Sequence, residues 1–334
     1  MLNTSFNDVT NYIKNEIQKT QLEIMIDANS RLVKMYFNIG RTLEENSIWG
    51  NKFINNIALE IKLAFPSLKG FSVRNLKYMK SFYNEYKDDL EIVQLVAQLP
   101  WKHNTTLIQK VKDKNVREWY IRKCLEEGWP YSVLLYQIDT DLYKRQEKAI
   151  KHNNFHLTMK QNSDLANHMM KDPYVFDLIE LTEDYKEKEL ENKMLEKLKN
   201  IILELGNGFS FIGNQYKVTV DNHDFYIDLL FYHTKLKCYI AIEIKTVEFK
   251  TEFASKMGFY LTALDEQLKD KNDNQSIGLI LCQSKSNKIV DYTLKYINKP
   301  VGVSEYKIFD KLPIEISKSL PTKEDMNLHI DMEK

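Results

Sequence analysis

Glycine and proline are scarce, 10 and 7 in 334 residues, which leaves little material for long flexible linkers; plentiful Leu, Ile, Lys and Glu favour helix instead. Cysteine is nearly absent. Cys124, Cys238 and Cys282 lie far apart with no CxxC spacing, which argues against both a disulfide framework and a zinc ribbon. Net charge is missing altogether, 47 basic residues balancing 47 acidic ones. The chain is therefore not built to hold nucleic acid by overall charge, although a local basic patch remains open to it. No run approaches the ~18 uncharged apolar residues of a spanning helix. Met1 to Glu16 shows no basic-then-apolar leader, so the expected location is cytoplasmic, with no membrane partner. No GxxxxGK[ST] segment occurs, so no nucleotide cofactor is expected.

What is present, 43% hydrophobic and 28% charged residues, is the composition of a globular protein long enough for two domains. Residues 1–150 read as helical, 151–170 as a polar linker and 171–334 as a mixed α/β domain, α+β overall. In the first half, Leu32, Met35, Tyr36 and Ile39 mark one face of a long helix near Phe6 to Glu44. Asn51–Phe65, with Ile54, Ile57, Ile61 and Leu63, and Val73–Tyr86, with Leu76, Met79 and Phe82 or Tyr83 inward and Ser72 as N-cap, form a helix pair around a turn. Trp49, Trp101, Trp119 and Trp129 are the expected anchors of its core. In the second half, a charged helix from about Thr182 to Leu205 precedes strands at Gln215–Val220, Phe225–Tyr232 and Cys238–Lys245. A helix at Glu252–Lys269, a strand at Ile277–Cys282, a helix at Asn287–Ile297 and a strand at Val301–Ile308 follow.

Chemistry-bearing residues sit where strands are most apolar. Asp228 lies inside Phe-Tyr-Ile-Asp-Leu-Leu-Phe-Tyr, and Glu243 and Lys245 lie inside Tyr-Ile-Ala-Ile-Glu-Ile-Lys. A carboxylate in such a strand needs compensation. Glu243 and Lys245 project from one face about 7 Å apart. A hairpin centred near 235–236 brings Asp228 to them. Hard oxygen donors suit Mg²⁺ or Mn²⁺; Asp228, Glu243 and the Ile244 carbonyl are the candidate ligands. Lys245 would orient or deprotonate the attacking water and oppose charge on a phosphate. Glu204, one residue before Leu205 of the preceding helix, is a further candidate to reach that water, against the simpler reading of a solvated glutamate at the helix end. The alternative is a salt-bridged trio that pins strand register.

Asp228 followed by Glu243-Ile244-Lys245 on an α-β-β-β-α-β frame resembles the PD-(D/E)XK (restriction-endonuclease-like) nucleases. More narrowly the chain resembles the YhcG family, through Leu205-Gly206-Asn207-Gly208-Phe209, Tyr226–His233, Phe259-Tyr260-Leu261, Ser276–Cys282, Lys69–Met79 and Gln98–Asn104. The resemblance implies an Mg²⁺-dependent endonuclease acting on DNA (branched and modified forms included) in genome defence or DNA processing, with Glu204, Asp228, Glu243 and Lys245 as site residues. The chain departs from its relatives at Val247, where they carry glycine, and at Ser255-Lys256, where they carry Gly-Gln. A charged lysine cannot ligate a cation, so Lys256 becomes a candidate phosphate contact.

The helix pair of the first half has the proportions of a helix-turn-helix. Lys69, Arg74, Lys77 and Lys80 would contact phosphate and Asn75 a base edge, against the simpler reading of a solvated basic face. His103 is expected in a core or capping role, and His223 and His233 in exposed turns. Two other functions compete with the enzyme. One is a nucleic-acid-binding protein whose site has drifted. The other is an assembly subunit whose sheet edge or helical half binds protein, for instance in a homodimer.

Overall fold

The computed structural model describes residues 6–47, 52–176, 186–196 and 198–308. The chain divides into two compact units, Met1–Leu135 and Tyr136–Lys334.

The first unit is helical, as expected. It holds α1 (Phe6–Glu45), α2 (Phe53–Ala64), α3 (Val73–Tyr86), α4 (Leu90–Val96), α5 (Trp101–Lys110), α6 (Lys114–Glu127) and the start of α7 (Tyr131–Asp139). The buried stripe of α1 is Val33, Tyr36 and Leu43, whereas Leu32 and Met35 are each 39% exposed; the face expected from sequence was rotated by part of a turn. Gly40 lies on the buried stripe. A Cβ there would enter the van der Waals sphere of the Met79 carbonyl oxygen, so α1 and α3 touch backbone to backbone. Ser72 caps α3 by accepting the Asn75 amide, and Leu76, Met79 and Phe82 are fully buried from it. Ile54, Ile57 and Ile61 of α2 pack on this cluster, but Leu63 points to solvent. Trp101 stacks edge-on against Phe82 and tilts against Tyr36, while Trp119 and Trp129 are only half-buried. Trp49 lies outside the described residues. His103 fits its expected role, buried with Nε2 at 2.9 Å from the Trp129 carbonyl oxygen.

The second unit begins within α7. It continues through a π-helical turn (Tyr143–Lys148), β1 (His152–Asn153), α8 (Phe155–Thr158), α9 (Ser163–Met169) and β2 (Tyr174–Phe176). Residues 151–170, read from sequence as a linker, are therefore built into the sheet unit. β1 pairs antiparallel with the last strand of the sheet, and Phe155, Ala166 and Met170 are buried in its core. Polarity misled here because the polar side chains have structural partners: Asn154 donates to the carbonyls of Leu294, Ile297 and Lys299.

The remaining elements are α10 (Glu187–Glu196), α11 (Leu198–Leu205), β3 (Phe209–Val220), β4 (His223–His233), β5 (Cys238–Glu248), α12 (Thr251–Gln267), β6 (Ile277–Ser284), α13 (Asn287–Leu294) and β7 (Val301–Ile308). The expected start of the charged helix near Thr182 falls outside the described residues. Strand order is β1-β7-β6-β5-β4-β3. β3, β4 and β5 form an antiparallel meander; β5, β6 and β7 run parallel, joined through α12 and α13. Alternation along β5 defines the two faces. Ile240, Ile242 and Ile244 pack with Leu190 and Met194 of α10 and with Ile201 and Leu205 of α11. Ala241 faces the other way, with Met257, Tyr260 and Leu261 of α12 and Val290 of α13. The three cysteines are free and buried, and burial pushes each thiol up to about 12.

Among the described residues no helix is long and apolar enough to cross a membrane. Gly40→Ala sets a helix-propensity gain of about 1 kcal/mol against overlap with a backbone oxygen that no rotamer change relieves. The overlap should win, with a net loss of about 1–3 kcal/mol, measured by urea unfolding followed by far-UV circular dichroism.

Candidate active site

In the β4–β5 ladder Leu229 lies opposite Ile242 and Leu230 opposite Ala241. One step further along the same register sets Asp228 against Glu243. There the regular ladder gives way to a side-chain bond: the Ile244 amide donates to Asp228 Oδ2 at 2.9 Å. In the β3–β4 ladder Asn214 faces Leu229 and Tyr216 faces Ile227, so Gln215 falls opposite Asp228. Gln215, Asp228 and Glu243 thus form one row across three strands.

Lys245 joins the row from two positions along β5. Its Nζ lies 3.3 Å from Glu243 Oε2 and 3.9 Å from Asp228 Oδ2, donates to the Ile244 carbonyl at 2.9 Å and pairs with Glu187 at 2.5 Å. Asp228, Glu243 and Lys245 therefore converge as the spacing predicts. Lys256 of α12 reaches the same Glu243 Oε2 at 3.1 Å. Glu243 is 1% exposed, and its other oxygen, Oε1, has no hydrogen-bond partner.

Glu187 and Glu191 were not picked out from the sequence. Gln215 Nε2 bridges Glu191 Oε2 at 2.9 Å and Asp228 Oδ1 at 3.2 Å, which ties α10 to the strand row. The two glutamates stand four apart on α10, beside buried Leu190; that spacing was available to sequence reasoning. Gln215 was not, since its backbone φ of 44° leaves no mark in composition or period.

Glu204 is the correction. Its carboxylate is fully buried in a different cluster: Arg145 of the π-helical turn donates to Oε1 at 2.5 Å, the Val175 amide donates to the same oxygen at 3.0 Å, and Lys171 Nζ lies 3.6 Å from Oε2. None of these partners belongs to the strand row. Glu204 pins the π-helical turn and β2 to α11, a structural task that apolar spacing cannot tell from a catalytic one. His233 also departs from expectation, being fully buried with Nδ1 accepting the Leu236 amide at 3.0 Å. His223 is exposed as expected, at the first position of β4 rather than in the turn before it. Val247 is 44% exposed.

The electrostatics follow from burial. Asp228 is pushed from 3.8 up to about 6, first by burial and then by the charge of Glu243, with the Ile244 amide and Lys245 opposing. Burial likewise lifts Glu191; its hydrogen bond from Gln215 opposes the shift and the charge of Asp228 adds to it. Burial pulls Lys245 down, but the carboxylates of Glu243, Glu187 and Asp228 outweigh it and hold the ammonium above its ordinary value. Lys245 is thus held among these carboxylates as a positive charge and a donor.

The donor set fits a hard divalent cation. Asp228 and Glu243 offer carboxylate oxygens, and Oε1 of Glu243 is buried without the partner such an atom requires. Four carboxylates against two ammonium groups leave an excess of negative charge. Among the described residues no three or more His, Cys, Asp or Glu side chains gather as a ready cage. An ion here would take two protein carboxylates and complete its sphere with water and substrate oxygens, the arrangement Mg²⁺ favours. The Ile244 carbonyl, a candidate third ligand, is engaged by Lys245 in this state.

In the first unit the candidate nucleic-acid residues separate. Lys69, Arg74 and Lys77 are exposed, Arg74 donating to the Tyr78 hydroxyl at 2.8 Å. Lys80 is paired with Glu44 at 3.2 Å. Asn75 is turned inward, donating to the Gly70 carbonyl and accepting from Trp101 Nε1, so it holds the turn rather than reaching for a base edge. Residues 65–72 between α2 and α3 also make a longer connection than the turn of about three or four residues in a helix-turn-helix.

Residues 167–321 match the YhcG PDDEXK nuclease domain, and residues 12–145 match the DUF1016 N-terminal domain. "Putative nuclease YhcG" of Escherichia coli (strain K12) is 27% identical over 340 residues, covering 90% of this chain and 88% of that one. Among solved structures, a repair endonuclease from Pyrococcus abyssi shares 18% identity over 39% of this chain and 50% of its own, with a TM-score of 0.25. EndoMS in complex with double-stranded DNA shares 15% identity over 40% of this chain and 50% of its own, with a TM-score of 0.26. With both domains matched and the curated relative aligned over 90% of the sequence, the chain belongs to the YhcG family, a DUF1016 N-terminal domain followed by a PDDEXK nuclease domain.

Proposed function

We propose that the second unit hydrolyses phosphodiester bonds in DNA as an endonuclease dependent on Mg²⁺ or Mn²⁺, and that the first unit supplies positive charge to the phosphate backbone. The observation that carries this is the meeting of Asp228, Glu243 and Lys245 around a buried carboxylate oxygen that lacks a partner. A bound divalent ion would polarise the scissile phosphate and acidify the attacking water. Asp228 and Glu243 hold the site negative enough to recruit it. Lys245, fixed by Glu187 and the Ile244 carbonyl, donates to a phosphate oxygen as charge builds there. Glu191, its carboxylate made more basic by burial and tied to Asp228 through Gln215, would accept the proton of the water. A part in genome defence or DNA processing is the role the family resemblance suggests.

Plasmid and oligonucleotide DNA incubated with the purified protein should be cut in Mg²⁺ or Mn²⁺ and left intact in EDTA. Asp228→Ala and Lys245→Ala should each lower the rate by at least about a hundredfold, the scale for losing one transition-state donor. Cleavage that persists in either variant would falsify the assignment. Salt-sensitive binding without cutting in any metal would favour a drifted binding protein.

The raised pKa of Asp228 gives a pH test. The folded state binds this proton more tightly than the unfolded chain, so stability falls as pH climbs from about 4 to about 6 and stays reduced above it. In EDTA, Asp228→Asn should stabilise the protein at pH 8 by about 1–3 kcal/mol and give no gain at pH 4. Denaturant titration at the two pH values measures it, and equal gains at both would count against a strained carboxylate.

Neutralising Lys69, Arg74 and Lys77 together to glutamine should weaken binding to every DNA sequence alike. The slope of log K against log salt should shrink by about 0.9 for each phosphate that is no longer neutralised. Fluorescence anisotropy across a salt series reads this, and an unchanged slope would remove the α3 region from the interface.

A further inference from the structure

Glu243 Oε2 is shared by two ammonium groups that differ in freedom. Lys245 is 10% exposed in its side chain and anchored by Glu187 at 2.5 Å and by the Ile244 carbonyl. It cannot leave without exposing those partners. Lys256 comes from α12 with a side chain 46% exposed. Its neighbours besides Glu243 are the hydroxyl and ring face of Tyr260, the ring centroid 5.0 Å away. So one of the two cations on this carboxylate is fixed, and the other stands at the rim where a polyanion would approach.

We propose that Lys256 makes metal binding and nucleic-acid binding depend on each other: it occupies Glu243 Oε2 while substrate is absent and transfers to a substrate phosphate when DNA arrives. The inference rests on the metal-dependent reading above and adds a regulation of the same site. While Lys256 stays on Oε2, an incoming divalent ion meets a positive charge bonded to one of its own ligand atoms and must compete for it. A phosphate at the mouth of the site offers Lys256 an alternative anion, and its departure leaves Glu243 with Oε1 unpartnered and Oε2 held only by Lys245. Because coupling of this kind is reciprocal, bound metal must tighten DNA by the factor by which DNA tightens metal. A neutral glutamine at this position would not compete with the ion as a charge.

The test is calorimetric titration of Mn²⁺ into the metal-stripped full-length protein, with and without a duplex oligonucleotide bearing phosphorothioate linkages. The wild type should bind Mn²⁺ weakly alone and about tenfold more tightly with the duplex, within the usual span of such couplings. Lys256→Gln and Lys256→Met should both bind Mn²⁺ alone about tenfold more tightly than the wild type, with little further gain from the duplex. Mn²⁺ affinity equal across the three proteins, or a duplex effect that survives in both variants, overturns the proposal. In either case, Mn²⁺ binding that is lost in Glu243→Gln leaves the metal site itself standing. Absence of Mn²⁺ binding in every form, or binding unaffected by Glu243→Gln, removes the metal reading and the coupling with it.

Discussion

The site depends on one registration. The antiparallel pairing of β4 with β5 sets Leu229 against Ile242 and Leu230 against Ala241. That pairing fixes where Asp228 meets Glu243. A slip of one residue between the strands would turn one of the two carboxylates to the opposite face, toward Leu190, Met194 and Ile201 and away from Lys245, at the cost of burying it there. The apolar residues of the two strands therefore do more than fill a core. They bury Asp228 and hold it beside a second carboxylate, and burial first, then the charge of Glu243, raises its pKa.

Most of this frame was legible in sequence. Alternation in Tyr239–Lys245 assigned the strand and its charged face, and a turn centred near 235–236 brought Asp228 to it. β7 and α3 matched their expected bounds. The parts that were not legible share a cause. Glu204, Gln215 and the segment 151–170 owe their roles to partners far away in sequence: Arg145 for Glu204, Glu191 and Asp228 for Gln215, and β7 for β1. A lone polar residue beside an apolar stripe reads the same whether it faces a buried arginine or a substrate. Glu191 shows the converse. It carries the same local signature as Glu204 and sits against the strand row, and only tertiary placement separates the two.

The first unit makes a similar point about polar side chains. Asn75 lies among basic residues on α3, as a base-reading residue would. Its amide is nonetheless committed to the Gly70 carbonyl and the Trp101 indole. Asn29 of α1 does comparable work, donating to the Leu99 carbonyl at 3.1 Å. Both asparagines satisfy backbone carbonyls of the connections between helices, which need donors. The basic residues that remain outward are Lys69 of the connection and Arg74 and Lys77 of α3.

The buried thiols carry a consequence for how the molecule can be handled. Cys124 belongs to the first unit, and Cys238 and Cys282 belong to the second. With their acidities suppressed by burial, all three are poor nucleophiles towards alkylating reagents while the fold is intact. Each unit therefore carries its own silent reporter of unfolding. Mass-resolved alkylation under increasing denaturant would read the unfolding of each unit, without introducing a label. A cysteine placed at an exposed site such as Val247 would react ahead of the native three, so a probe could be attached beside the strand row in the folded protein.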